Sequence, residues 1–224
     1  MRSIGMLMFK DLVQQRQRVL LGCSMLLIFG FSMALNAEAR VGSTAGILTG
    51  LVMVTSLGTA YDEDQGGLAY LRSLPLAPRE IVAGKFLSSL GFAIIYMIAA
   101  FLPMLLCSRQ QLSTTVSVSI VTALCVGLLL SGLVLTVFFR YGYRAIQLYL
   151  IYFWLGFIGL AVGLQMLWKM IPTSSALPTR WFAWLSAIDT WSGERVAVVV
   201  LATTGILYLT LAWFAERNLR NRDL

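Results

Sequence analysis

The sequence predicts an all-α integral membrane protein with six transmembrane helices, and three observations predict it. Six uncharged runs, residues 19–37, 41–61, 86–108, 110–139, 145–168 and 196–215, are divided by short charged segments. At 1.5 Å per residue each can cross the ~30 Å of a bilayer core, which takes roughly 20 residues. The chain of 224 residues is 58% hydrophobic and only 12% charged, where a soluble domain carries about twice that share of charge. The basic residues also alternate in density from one loop to the next. Arg2, Lys10, Arg16, Arg18, Arg72, Arg79, Lys85, Arg140, Arg144, Arg217, Arg220 and Arg222 fall on one side of the predicted membrane. Arg40, Arg109, Lys169, Arg180 and Arg195 fall on the other. The positive-inside rule then puts both termini in the cytoplasm.

A backbone in hydrocarbon must satisfy its own hydrogen bonds, so the runs form helices rather than open strands. The expected spans are 19–35, 42–61, 81–107, 112–139, 145–168 and 196–215, in one membrane domain covering 1–224. No cleaved leader is expected, because the first apolar run is a full-length span. The net charge of +7 is absorbed by topology, which argues against a nucleic-acid partner and leaves membrane lipid as the surrounding one.

Residues 1–18 carry Ile4, Leu7, Met8, Asp11, Leu12 and Gln15 at helical spacing. Two arrangements fit them: an amphipathic helix on the cytoplasmic surface, or an N-terminal extension of the first span. Ala37–Val41 is expected to be a tight external turn. Span two contains Gly46-Ile-Leu-Thr-Gly50, a spacing that lets helices approach closely, and an unusual number of hydroxyls, among them Thr49, Thr55, Ser56 and Thr59. Residues 107–112 make a second external turn, and Arg140-Tyr-Gly-Tyr-Arg144 a cytoplasmic one. Gly156, Gly159 and Gly163 mark a close helix contact in span five. Lys169 to Arg195 is the sizeable external segment; its Trp181, Trp184 and Trp191 favour a re-entrant or interfacial stretch before span six.

Several chemistries are missing. No Asp, Glu, Lys, Arg or His lies well inside a predicted span, which argues against a proton-driven carrier. There is no phosphate loop of the G-x-x-x-x-G-K-[ST] kind, since Gly84-Lys85 is followed by Phe86. No nucleophile–base pair suggests a catalytic residue. Cys23, Cys107 and Cys125 lack metal-ligand spacing and the chain has no histidine, so no metal site is expected.

The loop joining spans two and three, residues 62–80, is the exception to the economical connections. Asp62, Glu63 and Asp64 open it, where a helix N-terminus favours negative charge. Leu68, Leu71 and Leu74 follow at i, i+3 and i+6, with Tyr70 and Arg72 beside them. Pro75 stops this short helix, and Pro78 suits the first turn of the next, which carries Glu80 and runs into span three. An amphipathic helix could rest among head groups, but the acidic cluster is repelled by a negative leaflet, which favours a protein partner.

The acidic opening, Leu68-x-x-Leu71, Ser73-Leu-Pro75, Arg79-Glu-Ile-Val and Lys85 together resemble the first cytoplasmic loop of permeases in the ABC-2 type transporter family. Lys10-Asp11, the six spans, the enlarged external loop and the basic tail extend the resemblance over the whole chain. It implies that 62–80 is a coupling helix docking a separate ATPase subunit, which binds ATP and Mg while this chain holds no cofactor. Asp62, Glu63, Asp64, Leu68, Tyr70, Leu71, Arg72, Leu74 and Pro75 would be the docking residues. A second permease chain, identical or different, would complete an exporter in a bacterial cytoplasmic membrane. The substrate path would run along the small and hydroxyl-bearing faces of spans two and five, Thr49, Thr55, Ser56, Thr59, Gly156 and Gly159. The short form is most similar to exporters of amphipathic peptides such as the phenol-soluble modulins. The same loop also fits a non-transporting scaffold that recruits a cytosolic partner. A haem-export permease is a further alternative, although no histidine is available to ligate iron.

Overall fold

In the computed structural model, which describes residues 2–35, 37–62, 76–107, 114–149 and 193–221, all regular structure among those residues is helical. The elements are α1 (Arg2–Gln14), α2 (Arg16–Leu35), α3 (Ala37–Asp62), α4 (Pro78–Cys107), α5 (Thr114–Tyr141) and α6 (Gly193–Asn221), with 143–149 also helical. Four stretches are long and apolar enough to cross a membrane: Thr44–Asp62, Pro78–Pro103, Ser117–Tyr141 and Arg195–Asn221. The chain is thus an integral membrane protein. Helix α2 forms where the first span is expected, and only 145–149 of the expected fifth span falls within the described residues.

Local chemistry sets the helix ends. Gln15 is a single turn residue between α1 and α2, and helical hydrogen bonds run through it, from Gln15 N to Asp11 O and from Val19 N to Gln15 O, each at 2.9 Å. Pro78 opens α4, where its missing N–H costs nothing. Ala77 O accepts from Glu80 N at 2.8 Å, and Glu80 Oε2 accepts from Ala77 N at 3.2 Å, half of a capping box. Gly142, with φ of 82°, ends α5 in the left-handed region, and its N–H reaches back to Phe138 O at 2.9 Å. One expectation is corrected: Ala37–Val41 is not a turn but the first part of α3. Ala, Glu and Arg are strong helix formers, and charge there does not end a helix that has left the hydrocarbon.

Two apolar clusters stack along the bundle. One joins α2, α3, α4 and α5 through Leu26, Leu48, Val52, Phe92, Tyr96, Ile120 and Leu128. The other joins α1, α3, α4, α5, 143–149 and α6 through Leu7, Ala60, Phe86, Phe138, Phe139, Ile146, Ala215 and Leu219. A hydroxyl seam separates them. Ser56, between Val52 and Ala60 on α3, meets Ser89 of α4 at 2.9 Å, and Ser89 meets Ser131 of α5 at 2.8 Å. Tyr208 of α6 donates to Phe86 O at 2.9 Å, with its oxygen beside Ser89 and Ser131.

Lipid tails are as apolar as leucine, so these helices are held by close packing and interhelical hydrogen bonds rather than by expulsion of water. Backbones come close in the first cluster at Gly30, where a Cβ would stand 3.1 Å from Ala100 O, and at Gly127, where it would stand 3.3 Å from Thr49 Cα. The expected approach at Gly46 and Gly50 is not made: both positions face open space among the described residues. Thr49 marks the face of α3 that meets α5, and Gly46 lies with it along the groove between the two helices.

Candidate functional site

Helix α1 presents two unlike faces. Leu7, Asp11 and Gln15, one turn apart, are buried against the bundle, while Met6, Phe9, Leu12 and Val13 are exposed, Phe9 at 67%. A helix that hides its polar stripe and exposes its apolar one fits the lipid interface, with the protein rather than water receiving the polar groups. Leu7 lies against Gly84 of α4, and this contact seats the carboxylate of Asp11.

Asp11 Oδ1 accepts from Lys85 Nζ at 2.6 Å, with the two residues only 1% and 4% exposed. Charges taken out of water this completely need each other: removing one strands the other. Lys85 stands about two turns into α4, just beyond the 62–80 loop. At the other root of the loop, Asp62 Oδ2 accepts from Gln15 Nε2 at 2.5 Å, and Gln15 Oε1 accepts from Arg18 Nη1 at 2.7 Å. Gln15 is thus a relay between the last residue of α3 and the first turn of α2. Gly58, one turn before Asp62, leaves the space this relay fills, since a Cβ there would collide with Arg18 and Gln15. Tyr61 adds an edge contact to Tyr143 at 5.0 Å between centroids.

Asp11 of α1 and Gln15, just after it, therefore hold residues on both sides of 63–75. Neither bond was foreseen: Asp11 and Lys85 are 74 residues apart, Gln15 and Asp62 are 47 apart. The available signal was an Asp and a Gln on the otherwise apolar stripe of residues 1–18, which asks for buried partners.

Of the docking residues, Asp62 ends α3, and Glu63, Asp64, Leu68, Tyr70, Leu71, Arg72, Leu74 and Pro75 lie outside the described residues. Gly156, Gly159 and most of the 169–195 segment lie outside them too. Thr55, Ser56 and Thr59 are buried, each returning its hydroxyl to its own helix, at Leu51 O, Val52 O and Ser56 O respectively. Thr49 stands apart on a groove between α3 and α5 and bonds Ala45 O and Ala123 O, both at 3.0 Å. Tyr96 Oη, beside Thr55, is buried without a hydrogen bond of good geometry.

The bundle defines a polytopic helical membrane protein, in which Asp11 and Gln15 hold Lys85 and Asp62 on either side of residues 63–75. The family model for ABC-2 family transporter proteins matches residues 6–214, and the chain belongs to that family. It is a permease component of an ABC transporter, a membrane transport part whose family generally lacks an ATPase site of its own. Comparison with curated proteins finds no match.

Proposed function

We propose that the chain is the permease subunit of an ATP-driven exporter in a bacterial cytoplasmic membrane, with six spans and both termini cytoplasmic. A separate ATPase subunit docks on residues 62–80 and binds the ATP and Mg, and a second permease chain completes the assembly. The cargo is amphipathic or lipid-like, a peptide toxin being one such molecule, since the described spans offer mainly hydroxyls and apolar side chains, and the buried Asp11 and Lys85 are paired with each other. The path follows Thr49, Thr55, Ser56 and Thr59 of span two together with Gly156 and Gly159 of span five.

The observation that carries this reading is the double tie of the N-terminal segment to the loop roots, Asp11 of α1 to Lys85 and Gln15, just after α1, to Asp62. A loop whose ends were free would absorb a push from a docked partner. One tied at both ends passes the displacement to α3 and α4, which between them hold Ser56 and Ser89 of the seam. Closure of the ATPase pair on nucleotide thus becomes a shift of packed helices.

The test is Leu71→Asp in the full chain co-expressed with its ATPase. Membrane insertion persists and ATPase co-purification is lost; unchanged co-purification overturns the docking assignment. A scaffold that only recruits a partner is separated by reconstitution, in which nucleotide-dependent movement of an amphipathic peptide into vesicles supports the exporter. Tight binding without movement supports the scaffold.

A further inference from the structure

A basic cavity of about 520 Å³ opens between the ends of α5 and α6, lined by Arg140, Tyr141, Phe214, Arg217, Asn218 and Asn221. Arg140 lies over the Tyr141 ring at 5.0 Å, and Arg217 over the Trp213 ring at 5.9 Å. The nearest-placed acid on α6, Glu216, is engaged elsewhere, with Arg220 at 2.5 Å. Among the described residues no carboxylate pairs with either Arg140 or Arg217. Two guanidiniums and two carboxamides lining one cavity, with no acid among its described lining residues, make a receptor for a phosphate-type anion, which guanidinium forks match in charge and geometry.

What lies beside the cavity identifies the carrier of that anion. Seven residues are almost two helical turns, so Leu133 stands below Arg140 on α5 and Leu207 below Phe214 on α6. Both leucines are exposed, at 46% and 51%, and Val126 continues the first strip. Trp213 and Phe214 sit at the rim, also exposed, as aromatic rings do where a bilayer meets water. A charged cavity at the top of exposed apolar strips, ringed by aromatics, is shaped for a molecule with an anionic head and hydrocarbon tails.

We propose that this cavity is a binding site for an anionic phospholipid, its head-group phosphate held by Arg140 and Arg217 and its acyl chains lying along Leu133 and Leu207. The site uses none of the residues that fasten the 62–80 loop and would serve an exporter or a scaffold alike, so it stands or falls separately from the transport reading.

The full chain is purified in mild detergent and incorporated into nanodiscs of phosphatidylcholine containing a minor fraction of phosphatidylglycerol. Retained lipid is read by native mass spectrometry. Wild type retains phosphatidylglycerol over phosphatidylcholine, and Arg140→Gln and Arg217→Gln each reduce the retention roughly fivefold, the value of one basic residue at an anionic surface. Arg16→Gln removes the same charge from an exposed position on α2, outside the cavity, and leaves retention unchanged. Equal loss in all three variants, or none in any, overturns the site. Inorganic phosphate competing at equal concentration overturns the lipid assignment, as does loss of ATPase co-purification in Arg217→Gln with lipid retention intact. Both arginines are exposed, so the variants keep the fold, and Arg217→Lys, which retains charge without the fork, is expected to recover part of the binding.

Discussion

At the scale of single residues, the buried pair Asp11–Lys85 is the most consequential contact in the molecule. Lys85→Met leaves Asp11 charged, buried and alone, a loss of about 3–5 kcal/mol. Its Oδ2 already has no partner among the described residues, so nothing stands ready to compensate. The double variant Asp11→Leu/Lys85→Met recovers most of that loss, because replacing both members removes the stranded charge. Thermal unfolding of the three variants in one detergent checks the pattern; additive losses would contradict it. Glycines divide in the same way. Gly127→Val pushes against Thr49 Cα and Val52 Cβ, both 3.3 Å from an ideal Cβ, and is expected to destabilise by about 1–3 kcal/mol. Gly46→Ala, which meets nothing within 4 Å, is expected to be neutral or to gain up to about 1 kcal/mol of helix propensity.

At the scale of elements, the hydroxyl seam is less costly to disturb than its position suggests. Ser89→Ala removes the hydroxyl that Ser56 and Ser131 share, yet each of those two can still place its one proton on its own helix, at Val52 O and Leu128 O. Interhelical hydrogen bonds in membrane proteins average about 0.6 kcal/mol, so the expected loss of stability is below roughly 1 kcal/mol by the same unfolding measurement. A much larger loss would mean that the seam, rather than the two clusters, holds α3, α4 and α5 in register. The seam also explains what the sequence could and could not disclose. Pro78, Glu80 and Gly142 announce their helix ends because capping is local chemistry, and each behaves as its residue type dictates. Which face of a span meets protein is not local. Within the uncharged stretches 44–61 of α3 and 117–139 of α5 every face is apolar, small or hydroxyl-bearing, so Gly46-x-x-x-Gly50 and Gly127 look alike in the sequence, and only the assembled bundle distinguishes them. The same ambiguity hid the outward Met6, Phe9 and Val13 of α1, because a stripe through Leu7 and Asp11 reads equally well as facing water.

At the scale of the whole molecule, α1 does for the loop what the loop cannot do for itself. Two bonds fix its roots, and they differ in kind: the Asp11–Lys85 pair is buried and structural, whereas the Gln15 relay can be broken without stranding a charge in the core. Gln15→Leu therefore separates holding the fold from transmitting force. On the proposed reading it alters the surroundings of only one docking residue, Asp62, which keeps its carboxylate, so the ATPase subunit still co-purifies and still hydrolyses ATP. Asp62 is no longer fastened, and part of each stroke is spent moving the start of the loop relative to α1. Coupling between distant sites is typically 1–3 kcal/mol, and losing even the lower value reduces cargo moved per ATP by about fivefold. The measurement is vesicle transport divided by ATP hydrolysis, for wild type and Gln15→Leu side by side. An unchanged ratio would show that α1 stabilises the bundle without taking part in coupling, and a parallel fall in hydrolysis and transport would place the defect in docking.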